Sequence, residues 1–356
     1  MKQFLLLAFI GSTSFLFGQA PDGFPSAFSS NGSGNWNSTG TWTQDVPGTD
    51  PDNIPDGDDY VIIAGNDVTV TANAGFGHLE YSASGPAQPT LTINTGISLT
   101  GYDTDEDGAI TLTANGALLG TKTLILNIDG GTASCTSLTI STTKANGIAL
   151  LNIKNGGTLT VENDLTVSSF EDDTDVQLDA TVGTGNTLNL GGAIIGIDVG
   201  KGIIDMGSSA GVSTFNFNGS AAQTIPFDDP TDLIYSDIQV SNPGGVTLES
   251  ASASANFTGD LTISAGGLFI DGGFSNVFIE DIINAGIYDG SGTIDLRGDF
   301  TNSGTFSSSG CNINIEGNWD NTGGIYTYFP GDNFTFDGTG GITSTITGAT
   351  NWYELT

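Results

Sequence analysis

A segment that repeats about every twenty residues is the strongest constraint on how this chain folds. Each copy places Asp or Asn before one large apolar residue, and the later copies continue with Asn and, two residues on, Gly. A period of this length is typical of a solenoid, in which each repeat forms one coil. The copies are Gly259-Asp260-Leu261-Thr262, Glu280-Asp281-Ile282-Ile283-Asn284-Ala285-Gly286, Gly298-Asp299-Phe300-Thr301-Asn302-Ser303-Gly304 and Gly317-Asn318-Trp319-Asp320-Asn321-Thr322-Gly323.

The strands before the last two copies alternate apolar and polar side chains, as in Ile294-Asp295-Leu296 and Ile313-Asn314-Ile315. This period of two is typical of a half-buried strand. Such short strands form a core only when they stack on copies of themselves as a parallel sheet, with strands about 4.8 Å apart. We therefore expect Leu, Ile, Phe and Trp inside the coil, and Thr, Asn and Asp facing water.

Two further positions of the repeat have predicted roles. The asparagines of successive copies, Asn284, Asn302 and Asn321, are expected to stack along the axis as an amide ladder. The glycines two residues later are expected to adopt the positive φ that a coil corner requires. These glycines are Gly286, Gly304 and Gly323.

The rest of the chain has short apolar triplets at less even spacing, separated by Gly or Asn. Their alternation and β-branched residues indicate further strands, and no stretch beyond the first residues keeps a helical period. The predicted fold class is all-β: a single right-handed parallel β-helix, or β-solenoid, with an N-terminal cap. The triplets include Leu91-Thr92-Ile93, Ile110-Thr111-Leu112, Leu138-Thr139-Ile140, Leu151-Asn152-Ile153, Leu165-Thr166-Val167 and Leu188-Asn189-Leu190.

The chain divides into four predicted segments. Residues 1–18 have a positive start, an apolar run and small residues after it, as in a secretory signal peptide. Residues 19–34 are rich in Ser, Gly and Pro and are expected to form a linker. Residues 35–67, with Trp36 and Trp42, are expected to cap the open end of the solenoid, although stacking of the two rings on a sugar is an alternative. The β-helix is expected over 68–356 and beyond.

The charge of the chain limits its partners. It has 356 residues, with 6 Lys and Arg against 40 Asp and Glu, and a formal net charge of -34. A field of this sign repels nucleic acid and anionic membrane surfaces, so neither is an expected partner, whereas it attracts divalent cations. No segment after the signal peptide is long and apolar enough to insert in a membrane.

Cys135 and Cys311 are expected to be buried free thiols, because they lie several coils apart.

Few residues are available for catalysis. His78 is the only histidine, which leaves little scope for Ser-His or Cys-His pairs and none for a His/Cys zinc cluster. A β-helix polysaccharide lyase would use Arg or Lys on an acidic substrate, which the negative charge of this chain repels. A glycoside hydrolase needs two nearby carboxylates, but among 40 acids some pair will meet that spacing by chance, so such a pair does not indicate an enzyme. No catalytic or cofactor-binding residue is predicted. The basic residues after the predicted signal peptide are Arg297, Lys122, Lys144, Lys154 and Lys201.

One acidic turn has the spacing of a calcium loop. Asp103, Asp105 and Asp107 alternate and are followed by Gly and, two residues later, by Ile. The closing Glu is missing, because Ala114 occupies its position. The sequence therefore predicts either a weak Ca²⁺ site at the three aspartates or a solvated acidic turn. A second acidic column is expected to be a solvated ladder that also attracts cations: Asp260, Asp281 and Asp299.

The opening of the predicted solenoid has a recognisable pattern: Gly-x-Trp, Thr-Trp, then Pro55-Asp56-Gly57-Asp58-Asp59-Tyr60-Val61-Ile62-Ile63 and Gly65-Asn66-Asp67-Val68-Thr69-Val70. This pattern resembles the start of large secreted β-helix proteins of the Bacteroidetes type and, more loosely, the start of the G8 domain. The resemblance implies an adhesin-like protein that is secreted or held at the bacterial cell surface. It carries information about architecture rather than activity.

Three hypotheses for function follow. The first is a structural or adhesive stalk without catalysis, whose corner loops contact extracellular glycans or surface proteins and whose C-terminal end self-associates end to end. The second is a carbohydrate-active β-helix enzyme, either a polysaccharide lyase or a glycoside hydrolase. The third is an ice-binding solenoid that uses Thr-x-Thr pairs such as Thr69/Thr71 and Thr111/Thr113. Ice binding requires a regular array, and the uneven spacing of these pairs argues against it.

Overall fold

The computed structural model describes residues 26–45, 50–81, 88–102, 107–115, 121–143, 146–170, 175–197, 202–207, 211–226, 233–250, 257–278, 280–338, 343–351 and 355. These residues form short strands joined by turns, with one 3-10 turn at Thr39–Thr41. Among them, no helix has the length and apolar character needed to span a membrane. The strands are β1 (Ser26–Ser30), β2 (Gly34–Asn35), β3 (Trp42–Gln44), β4 (Asp59–Ile63), β5 (Val68–Val70), β6 (Ala74–Phe76), β7 (His78–Tyr81), β8 (Thr90–Ile93), β9 (Ser98–Gly101), β10 (Ile110–Ala114), β11 (Lys122–Asp129), β12 (Thr132–Cys135), β13 (Leu138–Thr142), β14 (Gly147–Lys154), β15 (Thr158–Val161), β16 (Leu165–Ser168), β17 (Val176–Asp179), β18 (Asn186–Leu190), β19 (Ile194–Ile195), β20 (Ile203–Asp205), β21 (Ser213–Phe217), β22 (Gln223–Ile225), β23 (Leu233–Ile234), β24 (Asp237–Val240), β25 (Val246–Leu248), β26 (Leu261–Ile263), β27 (Leu268–Ile270), β28 (Ser275–Phe278), β29 (Ile282–Asn284), β30 (Ile287–Gly290), β31 (Thr293–Leu296), β32 (Phe300–Asn302), β33 (Thr305–Ser308), β34 (Asn312–Ile315), β35 (Trp319–Asp320), β36 (Ile325–Thr327), β37 (Asn333–Phe336) and β38 (Ile346–Thr347).

From β4 onward, consecutive strands belong to different sheets, so the chain visits the sheets in rotation. Of the strand pairs in the described residues, only β1 with β3 is antiparallel, and the others are parallel. This confirms an all-β fold with long parallel sheets, which is compatible with a β-solenoid. The strand orders are β19-β16-β13-β10-β7-β4-β1-β3 in sheet A, β2-β5-β8-β11-β14-β17-β20-β23 in sheet B, β38-β35-β32-β29-β26-β24-β21-β18-β15-β12-β9-β6 in sheet C, β22-β25-β27-β30-β33-β36 in sheet D and β28-β31-β34-β37 in sheet E.

Strand β14 illustrates why these segments are strands. Its residues alternate between buried and half-buried along the whole strand, with Ala149, Leu151 and Ile153 buried. A strand points successive side chains to opposite faces, so this pattern gives one apolar face and one face toward water. The same alternation in the other sheets produces an apolar core that extends from Phe28 to Phe334. The predicted period of two is confirmed.

The predicted boundaries near the N-terminus are wrong in two places. The expected linker over 19–34 contains β1, whose five residues are all buried and which pairs in parallel with β4. Strand β4 lies in the expected capping segment, so parallel stacking begins well before residue 68. The error arises because β1 is mostly Ser and Ala, with Phe28 as its one large apolar side chain. Small side chains can be buried in a strand without the alternation that marks one in sequence.

The ladder asparagines lie inside the protein. Asn284, Asn302 and Asn321 are all buried. Asn284 Nδ2 donates to Asn302 Oδ1 at 2.8 Å, and Asn302 Nδ2 donates to Asn321 Oδ1 at 2.6 Å. The predicted amide ladder is confirmed, but the expectation that Asn faces water is wrong here. A primary amide has both donor and acceptor, so each amide donates to the next, and among the three only Asn284 Oδ1, at the start of the ladder, has no hydrogen-bond partner.

The three corner glycines have two different roles. Gly323 has a φ of 84°, as predicted. Gly286 and Gly304 do not have positive φ, so the prediction is wrong for them. A Cβ on Gly286 would overlap the carbonyl oxygen of Gly267 in the preceding coil, and one on Gly304 would overlap that of Gly286. At these positions glycine permits the close approach of successive coils rather than an unusual backbone conformation.

The two cysteines are free and buried, as predicted. Cys135 lies on β12, and Cys311 lies just before β34. Burial raises the pKa of both thiols, that of Cys311 to about 11. Because the thiolate is the reactive form, both side chains are chemically inert in the folded chain.

Candidate functional site

The predicted calcium turn is described only at its last aspartate, since Asp103 and Asp105 lie outside the described residues. The two carboxylate oxygens of Asp107 lie 2.8 and 3.0 Å from Nδ1 of His78, and Oδ1 also accepts the N–H of Ala109 at 3.1 Å. The imidazole of His78 in turn stacks on Tyr60, with ring centroids 4.8 Å apart. Asp107 thus ties the turn to strand β7, and the Ca²⁺ site at the three aspartates stays a prediction.

A second acidic corner, at Asp56, Asp58 and Asp59, was not singled out in the sequence. Their carboxylates lie within 4.8 Å of one another, directly before and at the start of β4. The corner is held by Asp59 Oδ2, which accepts the N–H of Asp56 at 2.7 Å. In the sequence, the Asp-Gly-Asp-Asp run just before an apolar strand is the feature that could have indicated this corner. Such a group of carboxylate oxygens can bind a hard cation or share protons.

Two carboxyl groups of this corner, those of Asp56 and Asp59, are unusually hard to ionise. Burial raises the pKa of Asp59 to about 7; the N–H of Asp56 opposes this effect, and the charges of Asp56, Asp58 and Asp50 reinforce it. A hydrogen bond with Asp58, burial and neighbouring negative charges raise the pKa of Asp56 to about 6. Like charges at this separation disfavour one another, so the corner holds protons close to neutral pH.

A cavity of about 730 Å³ opens beside this corner. Asp52, Asp56 and Asp58 line one side, and the aromatic ring of Tyr102 lines another. The Tyr102 ring lies against Gly57, where an added Cβ would come within 2.7 Å of it. Carboxylates and an exposed aromatic ring in one cleft are the groups that commonly bind the hydroxyls and the apolar face of a sugar.

The acidic column of the repeat connects successive coils. Asp237 Oδ1 accepts the N–H of Asp260 at 3.1 Å, and Asp260 Oδ1 accepts that of Asp281 at 3.0 Å. Asp281 Oδ1 accepts the N–H of Asp299 at 2.8 Å, and Asp299 Oδ1 accepts that of Asn318 at 2.7 Å. The expectation of a solvated ladder is therefore wrong: these aspartates are half-buried, and each holds the backbone of the next coil.

The glycines that precede Asp260 and Asp299 are explained by the same contact. A Cβ on Gly259 would overlap the carboxylate of Asp237, and one on Gly298 would overlap that of Asp281. In these copies of the repeat, the Gly and the Asp that follows it therefore act together in one contact between coils. Glycine leaves room for the carboxylate of the preceding coil, and the following N–H bonds to it.

Two fully buried aspartates have a similar structural role and were missed in the sequence. Asp271 accepts the N–H groups of Gly273, Ser291 and Gly292 at 2.9 to 3.1 Å. Asp332 accepts the N–H groups of three residues at 2.7 to 3.0 Å and the hydroxyls of Ser308 and Tyr326. Burial opposes ionisation of Asp332, but the hydrogen bonds outweigh it and lower its pKa below the ordinary value.

The other predicted candidates lie apart from one another. Arg297 is exposed at the end of β31, and Lys154 forms an ion pair with Asp129 at 3.4 Å. Lys122 begins β11, whereas Lys144 and Lys201 lie outside the described residues. Trp36 and Trp42 are buried, with ring centroids 5.0 Å apart, so neither ring is available to stack on a sugar.

No protein-family model matches this chain, and no match is found among the curated proteins or the solved structures. The resemblance to secreted β-helix proteins of the Bacteroidetes type and to the G8 domain therefore stays a prediction.

Proposed function

We propose that the chain is a right-handed parallel β-helix with an N-terminal cap, and that it serves as a structural or adhesive stalk, secreted or held at the bacterial cell surface. The observation that carries this proposal is the in-register stacking of short strands through sheets that the chain visits in rotation. Such stacking builds a stiff body in which each coil contacts its neighbours, and it leaves the corners free to vary. The corner loops would contact extracellular glycans or surface proteins.

The use of the acidic residues supports a scaffold. Asp237, Asp260, Asp281 and Asp299 bind backbone N–H groups of the following coil, as does the buried Asp271. At least one oxygen of each carboxylate holds two coils together. In a stalk, a strongly acidic composition therefore supplies both internal connections and a soluble surface.

Distances between spin labels test the stalk architecture. In a chain without Cys135 and Cys311, one label is placed at position 100 on β9 and the second at position 216 on β21 or 301 on β32. The second position is four strands away in one case and eight in the other along sheet C. At about 4.8 Å per strand, the distances should be roughly 19 and 38 Å. A second distance that is not close to double the first would contradict a straight stack of coils.

Glycan binding at the cavity tests the adhesive role. Tyr102 is 45% exposed beside the acidic corner, and Tyr328 is 48% exposed at the other end of the molecule. On an array of neutral and acidic extracellular glycans, Tyr102→Ala should weaken binding and the matched change Tyr328→Ala should not. Binding that is absent in the unmodified chain, or equal in both variants, would remove the cavity from the adhesive proposal.

A carbohydrate-active enzyme is the second candidate, and the acidic corner favours it. Asp56 lines the open cavity and has a pKa raised to about 6, as a general acid requires, and the buried Asp59 beside it has a pKa raised to about 7. Steady release of products from neutral or acidic polysaccharides, lost in Asp56→Asn and kept in the exposed control Asp337→Asn, would establish this function. Absence of products across that panel would leave the stalk as the better proposal.

The proposal extends to self-association at one end. Strands β36 and β38 lie at the edges of sheets D and C, where Ile325 and Ile346 are 61% and 43% exposed. Edge strands with apolar side chains are templates for pairing with another chain. Sedimentation velocity should show concentration-dependent association that Ile325→Lys abolishes and that Thr139→Lys, on sheet A, leaves unchanged. A monomer at every concentration would overturn this part.

A further inference from the structure

The outer face of sheet C has a regular array of short polar side chains between strands β9 and β21. Its first column comprises Ser98, Thr132, Thr158, Thr187 and Thr214, which pair in register from strand to strand. The second column lies two residues further along each strand and comprises Thr100, Ser134, Thr160, Asn189 and Asn216. We call these ten residues the hydroxyl array.

The array is regular although its sequence spacing is not. Asn189 follows Thr160 by 29 residues, and Asn216 follows Asn189 by 27 residues. The extra residues leave the sheet between strands, so the strands themselves still stack in register. The uneven spacing that argued against an ordered array in the sequence therefore has no effect on this face. The pair Thr111/Thr113, singled out earlier, lies on sheet A instead.

The array carries no charge in a chain whose formal net charge is -34. All ten side chains are Ser, Thr or Asn, and the neutral stretch ends at Asp237 on the next strand of the same sheet. A face of this composition neither attracts nor repels ions. Its complement is an uncharged, repeating surface rather than an ionic partner.

The hydroxyl groups of the first column are free to bind water. Among the described residues, no protein group forms a hydrogen bond with the side chains of this column, whereas in the second column Asn189 donates to Thr160 at 3.2 Å. Neighbouring strands are about 4.8 Å apart, and when their side chains point straight out from the sheet the hydroxyls of this column keep about that separation. The spacing fits one water between each pair.

That spacing matches a tetrahedral water network. A water that makes two hydrogen bonds of about 2.8 Å to oxygens about 4.8 Å apart has an angle of roughly 118° between them. Conversely, second neighbours in a tetrahedral network with the same bond length lie about 4.6 Å apart. A column of Thr hydroxyls on a parallel sheet therefore orders a row of waters near the geometry of ice, and the threonine methyl groups limit other arrangements.

We infer that the hydroxyl array is an ice-binding face. Crystalline neutral polysaccharide is the other uncharged, repeating surface, but binding to sugars commonly relies on aromatic rings. The ten positions of the array include none. In the second column, about 6.6 Å away, Asn216 donates to Asn189 and Asn189 donates to Thr160, so the ordered waters follow the first column. This activity goes beyond the stalk and does not depend on it.

Partition into growing ice tests the inference. Fluorescently labelled chain should enter a slowly growing ice crystal and should inhibit ice recrystallisation. Thr158→Lys and Thr187→Lys, in the middle of the first column, should abolish both effects. Thr187→Val, which keeps the shape and removes the hydroxyl, should reduce them. The matched control Thr139→Lys, on the outer face of sheet A, should behave as the unmodified chain.

Each outcome decides the question. Circular dichroism and melting temperature establish that the Lys variants are folded, and Thr187→Val provides the same test with a smaller perturbation. Exclusion of the unmodified chain from ice would overturn the inference, as would equal partition of Thr158→Lys and Thr139→Lys. Binding to crystalline cellulose or chitin without partition into ice would overturn it in favour of a polysaccharide. These results are independent of the spin-label distances that test the stalk, so the two proposals can fail separately.

Discussion

The coils before and after strand β21 differ in size and in how their interiors are filled. In the earlier coils, stacked outer side chains are 27 and 29 residues apart in sequence, whereas in the last coils the stacked asparagines are 18 and 19 apart. Aliphatic residues such as Leu151 and Leu159 fill the earlier coils. Aromatic rings fill the last ones, where Phe300 stacks on Trp319 with centroids 4.7 Å apart.

The difference shows two ways to satisfy the same stacking geometry. A short coil has little chain to spare at its corners, so buried Asn and Asp side chains make the connections between coils. A longer coil places its extra residues outside the sheets and keeps a neutral outer face, as in the hydroxyl array. The later coils should therefore depend more strongly on individual aromatic and polar residues, and the following changes test this.

Removal of the stacked indole should cause the largest loss. Trp319 is fully buried between Phe300 and Phe334, and Trp319→Ala should lower the free energy of unfolding of the later coils by about 3–5 kcal/mol. Because coils contact only their neighbours, the loss should be local. In single-thiol variants, labelling of Cys311 should accelerate and labelling of Cys135 should not. Equal acceleration of both would mean that the two regions unfold as one.

The amide ladder should give the next effect. Asn302→Ala removes the acceptor of Asn284 and the donor to Asn321, so it should cost about 2–4 kcal/mol, measured by chemical denaturation. Asn312→Ala, an exposed position on β34, is the control and should change stability by less than about 0.5 kcal/mol. A small effect of Asn302→Ala would mean that water replaces the amide inside the coil.

The buried carboxylate of Asp332 predicts a pH dependence. Its pKa is lowered in the folded chain, so its contribution is present above the unfolded pKa of about 3.9 and is lost as pH falls below it. Asp332→Asn should cost on the order of 1–3 kcal/mol at pH 7. The variant should also lose less stability than the unmodified chain between pH 5 and pH 3. Asp337→Asn, which is exposed, should retain the original pH profile.

Calcium should give the smallest effect and should act on the earlier coils. If Ca²⁺ binds at Asp103, Asp105 and Asp107, a concentration ten times the dissociation constant should stabilise the chain by about 1.4 kcal/mol. Asp105→Ala should remove most of the rise in melting temperature. If Asp58→Ala instead removes the rise in melting temperature, the ion binds at the corner formed by Asp56, Asp58 and Asp59. An equal rise with Mg²⁺ would indicate general screening.

The most regular part of the chain was also the most predictable. The repeat that includes Asn302 predicted parallel strands, an apolar interior and the amide ladder, because the same contacts recur in each copy. Strand β1 was missed because it is short, mostly Ser and Ala, and recognisable only through its pairing with β4. The corner at Asp59 was missed for a related reason: only the folded turn brings its carboxyl group against those of Asp56 and Asp58.

Sequence alone therefore determined the all-β class, the alternation of buried and exposed positions and the two free thiols. The first two depend on residue type and on neighbours one or two positions away, and the free thiols follow from the wide separation of Cys135 and Cys311 along the chain. The tertiary structure decided that Gly286 and Gly304 serve close packing, that Asp281 binds the next coil and that Thr132, Thr158 and Thr187 form one column. These features are contacts between coils. They depend on the conformation of the corner loops, which determines the register in which each strand returns to its sheet.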